Sequence, residues 1–150
     1  MADAPPSFPI TIEFNIHWGD MDAFGHVNNA RYLTWFESAR SMYFRRIGLR
    51  LDRPSSPGPI LAHIGCDYLS PIVYPAHLVC GARVPRVGNT NFSMDYALWR
   101  VDEPSKPCAR GESVIVLFDY QTMTKVRIGD ELRAAMQATE QSVGNRLTPE

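Results

Sequence analysis

No apolar run in the 150-residue chain is long enough (about 18 residues) to suggest a transmembrane helix. The opening MADAPPSFP is acidic and proline-rich, without the basic-then-apolar order of a secretory signal. A soluble, cytoplasmic protein with no membrane insertion is therefore expected. Cysteine is scarce: Cys66, Cys80 and Cys108 are odd in number and far apart, with no CxxC or Cys/His cluster. This predicts buried thiols in a reducing compartment and no metal site. The chain has no GxSxG elbow, no HExxH and no Walker loop, which removes the α/β-hydrolase serine, the zinc hydrolase and the P-loop nucleotide hydrolase. Charge of one sign is also lacking. Fifteen Lys+Arg stand against sixteen Asp+Glu, a formal net charge of -1, and a dedicated nucleic-acid binder is not expected.

What is present is core material, at 45% hydrophobic and 11% aromatic. A chain of this length buries roughly 70% of its unfolded surface and needs no metal or disulfide staple. Residues 1–7 have no periodicity and read as a flexible leader. A single domain over 8–140 and a flexible tail over 141–150 complete the expected organisation.

Ile10, Ile12, Phe14 and Ile16 alternate with Thr11, Glu13, Asn15 and His17, the mark of a half-buried strand. Residues 18–28 have no period and form a loop. Asn28 or Asn29 can then cap a helix whose apolar face carries Tyr32, Phe36, Ala39, Tyr43 and Ile47, with Gly48 as its stop. Such a helix is about 27–30 Å long, and its aromatic stripe needs a large cover. After a proline-rich connection at 51–59, three segments alternate, 60–68, 78–84 and 92–98, and a fourth, 114–118, is apolar on both faces and reads as a central strand. Pro85 suggests an edge position or a bulge. Gly88-Asn89 and 104–107 read as turns, and 129–139 as a short terminal helix. Short turns imply that four of the five strands form an antiparallel meander. The fold class is α+β, a long helix wrapped by a curled antiparallel sheet of five or more strands.

The densest polar cluster, Asp20 to Asn29, feeds the N-terminus of the long helix. Free N–H groups and the helix dipole at that end polarise a carbonyl and stabilise an oxyanion. A carboxylate just upstream, Asp20 or Asp22, can act on the same carbonyl as general base or nucleophile. The same residues also suit an ordinary cap and loop. Glu37 and Arg40 are spaced for an i,i+3 ion pair, and His63 and Asp67 read as solvent-facing.

The stretch HWGDMDAFGHVNNARYLTWFESAR, residues 17–40, resembles the signature of the 4-hydroxybenzoyl-CoA thioesterase-like family of hotdog-fold acyl-CoA thioesterases. GNTNFSMDY at 88–96 and the stretch IVLFDYQTMTKVRIGDELRAAM are similar to it as well. The resemblance implies hydrolysis of an acyl or aryl thioester to free acid and CoA, with no cofactor. It places the catalytic carboxylate at Asp22 and the carbonyl-polarising backbone amide at Asn29, with Asp20, His26 and Asn28 in support. Phe24 stands where the related acyl-ACP enzymes carry an assisting Asn. The turn that meets CoA phosphates in some relatives reads Gly-Asn-Thr here. Arg86, Asn89 and Thr90 are thus the candidates for CoA contact.

The implied partners are an acyl-CoA or acyl-ACP substrate and further copies of the chain, in a homodimer or homotetramer with sites at subunit boundaries. Tyr32, Trp35 and Phe36 are expected to shape the acyl pocket. Two alternatives use the same fold: a hydratase or dehydratase, and a non-catalytic acyl-CoA-binding module.

Overall fold

The computed structural model describes residues 7–52 and 57–149. Most of the expected leader (1–6), part of the proline-rich connection (53–56) and Glu150 lie outside the described residues. Strand β1 (Ile10–Asn15) is followed by a 3-10 turn at Trp18–Asp20 and the long helix α1 (Asn29–Arg46). Then come β2 (Gly58–Tyr68), β3 (His77–Val87), β4 (Asn91–Arg100), β5 (Pro107–Asp119), the short β6 (Thr124–Lys125), helix α2 (Asp130–Gln141) and the short β7 (Thr148–Pro149). The main strands stand in the order β1-β3-β4-β5-β2, all antiparallel.

Helix α1 has distinct signals at both ends. Asn28 caps its start, its Oδ1 accepting from the Ala30 N–H at 2.9 Å. At the far end Gly48 takes φ +79°, and the Gly48 and Leu49 N–H groups close on the Arg45 and Phe44 carbonyls. That pair of bonds is the Schellman stop that glycine permits.

Side chains of α1 meet strands across the whole sheet: Trp35 packs on Phe14 of β1, Phe36 stacks on Tyr96 of β4, and Tyr32 meets Tyr68 of β2 edge-to-face. Phe36 also lies over Gly111 of β5, where a Cβ would sit 2.5 Å from its ring. Five flat strands span about 19 Å, well beyond the reach of one helix, so the sheet must curl around α1.

Two expectations need correction. The meander holds only for β3, β4 and β5, because β2 pairs with β5 at the opposite side of the sheet from β1. The link from β2 to β3, residues 69–76, is too long for a tight hairpin and crosses the sheet end instead, pinned by the fully buried Ile72. The alternation assumed for 60–68 is also broken, since a bulge between Leu61 and His63 shifts the register. Pro85, read as an edge position or a bulge, sits at a break in the β3–β4 register between Arg83 and Arg86, on the stretch of β3 that extends past its pairing with β1. Residues 142–149 run back along β3, with β7 paired in parallel to Arg86 and Val87.

Arg40 does not pair with Glu37. It turns inward, buried, with Nη1 donating to the Tyr96 hydroxyl at 3.2 Å and the guanidinium 5.9 Å from the Tyr96 ring centroid. The ring and the hydroxyl offer this interior cation partners that solvent-side Glu37 cannot.

Beyond Ala82, β3 has outrun β1, and the Val84 N–H needs another acceptor. The carboxylate of Glu140, fully buried on α2, provides it at 2.7 Å. The same carboxylate accepts from the Tyr43 hydroxyl at 2.7 Å and from Asn145 Nδ2 at 2.9 Å. Burial first, and then the Glu140 charge and hydrogen bond, push the Tyr43 phenol up, so it stays a donor. Replacing Glu140 with Ala leaves these donors stranded and should cost about 3 kcal/mol. Urea unfolding should show a lower midpoint, with Glu140→Gln less affected. An unchanged midpoint for the Ala variant would contradict this role.

Candidate active site

The loop between β1 and α1 folds into a tight antiparallel turn. The Asp22 N–H donates to the His26 carbonyl at 2.9 Å and the Asn28 N–H to the Asp20 carbonyl at 2.9 Å, with Met21 bridging Val27. Gly25, at φ +82°, closes the turn where a side-chain-bearing residue would be strained. The Val27 N–H donates to the Ile72 carbonyl at 2.9 Å, which locks the loop to the β2–β3 link.

That junction opens into a cleft of about 320 Å³ lined by His26, Val27, Asn29, Tyr32, Tyr68, Leu69, Ser70 and Pro71. Loop, helix start and the end of β2 all contribute. Of the four N–H groups from Asn28 to Arg31, three are engaged, the Asn28 N–H already on the Asp20 carbonyl. The Asn28 carbonyl accepts from Arg31 N–H at 3.0 Å, Ala30 N–H is held by Asn28, and the Asn29 carbonyl accepts from the Tyr68 hydroxyl at 3.1 Å. Among the described residues the Asn29 N–H has no acceptor.

The acidic pair divides by environment. Asp20 is largely buried and fully used: Oδ2 accepts from the His17 N–H at 2.8 Å, and Oδ1 faces Arg31 Nε at 3.3 Å. Asp22 is half-buried, with Oδ1 accepting from the Phe24 N–H at 2.9 Å, and among the described residues Oδ2 has no partner. Thus Asp20 holds the loop and Asp22 keeps one oxygen free. Asp22 does not itself line the cleft; it stands across the turn from His26, which does.

Burial pushes the Tyr32 phenol up from its ordinary 10.0 to about 12, with Cys108, Cys66 and Tyr68 adding smaller effects. Tyr32 is therefore a neutral wall of the cleft at any physiological pH. The other expected pocket residues do not reach it: Phe36 is fully buried in the core and Trp35 packs on Phe14.

Arg86, Asn89 and Thr90 are not brought to this cleft. They occupy the β3–β4 turn, whereas the cleft adjoins the link that enters β3 at His77, so the length of β3 separates the two. At roughly 3.3 Å per residue that strand is more than 30 Å long. The carbonyls of Asn89 and Thr90 accept from the Ile128 and Leu117 N–H groups, each at 2.8 Å. Arg86 is exposed.

Tyr68, Leu69, Ser70 and Pro71 were not foreseen as site residues. Their place follows from the pairing of β2 with β5 and from the link across the sheet end, which no local pattern reveals.

Among the described residues no group of three His, Cys, Asp or Glu side chains could hold a metal ion, and no helix is long and apolar enough to cross a membrane.

Comparison with known proteins gives this geometry a context. The pattern of the Thioesterase-like superfamily matches residues 16–136. A thioesterase-superfamily protein of Jannaschia sp. CCS1 superposes with a TM-score of 0.83, at 27% identity, covering 91% of this chain and 86% of that one. A thioesterase of Thermus thermophilus, solved with coenzyme A and Zn, gives a TM-score of 0.77 at 26% identity, covering 89% and 96%. The chloroplastic acyl-acyl carrier protein thioesterase ATL3 of Arabidopsis thaliana is 24% identical over 125 residues, 82% of this chain and 65% of its own length. These likenesses bear out the hotdog arrangement of a long helix in a curled sheet.

The raised Tyr32 phenol sets an alkaline limit. Its contribution to stability is present in full below the unfolded value near 10 and is lost as pH rises to about 12, because only the unfolded chain ionises readily in that window. Unfolding titrations of Tyr32→Phe should therefore fall less steeply between these pH values than those of the parent. Parallel curves would refute the assignment.

Proposed function

The chain belongs to the thioesterase-like superfamily and is a thioester hydrolase; from that membership we propose that Asp22 and the Asn29 N–H carry its hydrolysis of acyl-CoA or acyl-ACP thioesters. The observation that carries this reading is the single unpartnered N–H at an otherwise saturated helix start, on the wall of a cleft. A thioester carbonyl laid against that N–H has its developing oxyanion met by a fixed donor and the positive end of α1.

Asp22 supplies the other half. As a general base its free Oδ2 takes a proton from water, whose oxygen attacks the carbonyl carbon. The C–S bond then breaks and the thiolate leaves as CoA-SH after protonation. As a nucleophile the same oxygen attacks directly, giving an acyl-aspartyl anhydride that water splits. His26, on the cleft wall and paired through its backbone to Asp22, supports the acid's placement, and Asn28 and Asp20 hold the helix start and the loop.

Further copies of the chain complete the reading. Strand β2, 11 residues long, pairs with β5 on one side, and among the described residues no strand pairs with its other edge; Leu61 is exposed. An open edge of this length is a pairing template, and a homodimer or homotetramer covers it. Arg86, Asn89 and Thr90 serve the CoA phosphates only if a second copy brings its own β3–β4 turn to the cleft.

Asp22→Asn should lower kcat by about 10²-fold or more in a thiol-release assay over acyl-CoAs from acetyl to palmitoyl and aryl thioesters. Retained activity within a few-fold would reject Asp22. A change in enoyl absorbance without thiol release would mark a hydratase, and binding without turnover a non-catalytic module. Light scattering at micromolar concentration should find a dimer or larger, and a monomer alone would remove the shared site.

A further inference from the structure

The Asn29 N–H is useful only if it is held still, and its own peptide is tied at one end only, the Asn28 carbonyl accepting from the Arg31 N–H at 3.0 Å. It belongs to the peptide joining Asn28 to Asn29 and can turn about the Asn29 Cα relative to the next peptide, Asn29–Ala30. Both polar ends of that next peptide are tied by side chains. One tie is local, from Asn28 Oδ1 to the Ala30 N–H at 2.9 Å. The other comes from 39 positions away: the Tyr68 hydroxyl, at the end of β2, donates to the Asn29 carbonyl at 3.1 Å. The Tyr68 ring is itself fixed, edge-on to Tyr32 with centroids 4.9 Å apart at 81°. Tyr32 in turn is buried in the core.

Resting on the reading that Asn29 polarises the thioester carbonyl, we propose that Tyr68 is a positioning residue whose hydroxyl sets the orientation of the Asn29 amide. It contacts no reacting atom through that hydroxyl. Strand β2 is an outer strand of the sheet, attached along its length only to β5, so the bond also couples the seating of that strand to the oxyanion donor. Because the ring is half-exposed, the hydroxyl has solvent as an alternative partner in the unfolded chain, and removing it should cost little stability. A purely structural role would show in unfolding and not in turnover. A positioning role shows the reverse, since a small misplacement of a catalytic donor lowers the rate steeply.

Tyr68→Phe keeps the ring on Tyr32 and removes only the donor. In the full chain, assayed by thiol release on the best acyl-CoA of the panel, it should lower kcat about tenfold, less than deleting an oxyanion donor outright. KM should stay within threefold and Tm within about 3 °C. The pH profile should keep its shape, because the Tyr68 hydroxyl takes no part in proton transfer. In backbone NMR of the free protein, the Asn29 carbonyl and the Asn29 and Ala30 amide resonances should move while α1 beyond its second turn does not.

Unchanged kcat, or a fall matched by a general loss of stability, would overturn the proposal. A raised KM with kcat intact would make Tyr68 a binding surface instead, which also overturns it. If the parent protein releases no thiol from any substrate, the functional reading fails on its own. The NMR comparison then decides alone, and Asn29 and Ala30 resonances that stay in place would dismiss the role of Tyr68.

Discussion

A helix begins with N–H groups that have no carbonyl one turn back to receive them, and every protein must place these donors somewhere. Around the start of α1 almost all are absorbed. Val27 is bonded to the β2–β3 link, Asn28 to the Asp20 carbonyl and Ala30 to its own cap, while Tyr68 reaches the Asn29 carbonyl. Among the described residues one donor stays out of this accounting, the Asn29 N–H, and Asn29 is one of the residues lining the cleft. Because its neighbours are tied to three different elements, that donor is held without a hydrogen bond of its own, which is the condition for electrostatic preorganisation.

The scaffold that permits this is a sheet curled about α1. Phe36 fills the closest approach, stacked on Tyr96 and resting on the bare backbone of Gly111. The wrap buries the aromatic stripe and fixes α1 along its length, so its first turn cannot drift from the end of β2. Two buried charged side chains meet interior polar partners. Glu140 answers the Val84 N–H left open past the end of β1, and Arg40 is met by the hydroxyl and face of Tyr96. Each is interior, so each removes an unsatisfied group that burial would make expensive.

Much of this was legible residue by residue. The helix over 29–46, its cap at Asn28 and its stop at Gly48 follow from a 3.6-residue apolar stripe bounded by specific end residues. The strands follow from alternation, and the bulge in β3 from Pro85. Within the site, the loop–helix junction was recognisable from its residues, and a family signature singled out Asp22 and Asn29 for the roles proposed for them. Residue types alone left Asp20 and Asp22 interchangeable, and only the family resemblance ranked them; the hydrogen bonds then show Asp20 tied to His17 and Arg31 and one Asp22 oxygen free. Arg40 was misjudged for a related reason: helical spacing offers it Glu37, but a better partner comes from β4, 56 positions away.

By itself the sequence determined the elements, their ends and the chemistry offered at one helix terminus, since periodicity, capping and local turns act within a few residues. Tertiary structure alone decided which strand neighbours which, and therefore that β2 lies beside β5 and sends its following link across the sheet end. That single choice of pairing brings Tyr68, Leu69, Ser70 and Pro71 to Asn29 and leaves the β3–β4 turn a full strand away. Strand order is settled by which pairings bury the whole aromatic face of α1 at once, a sum over distant residues that no local window contains.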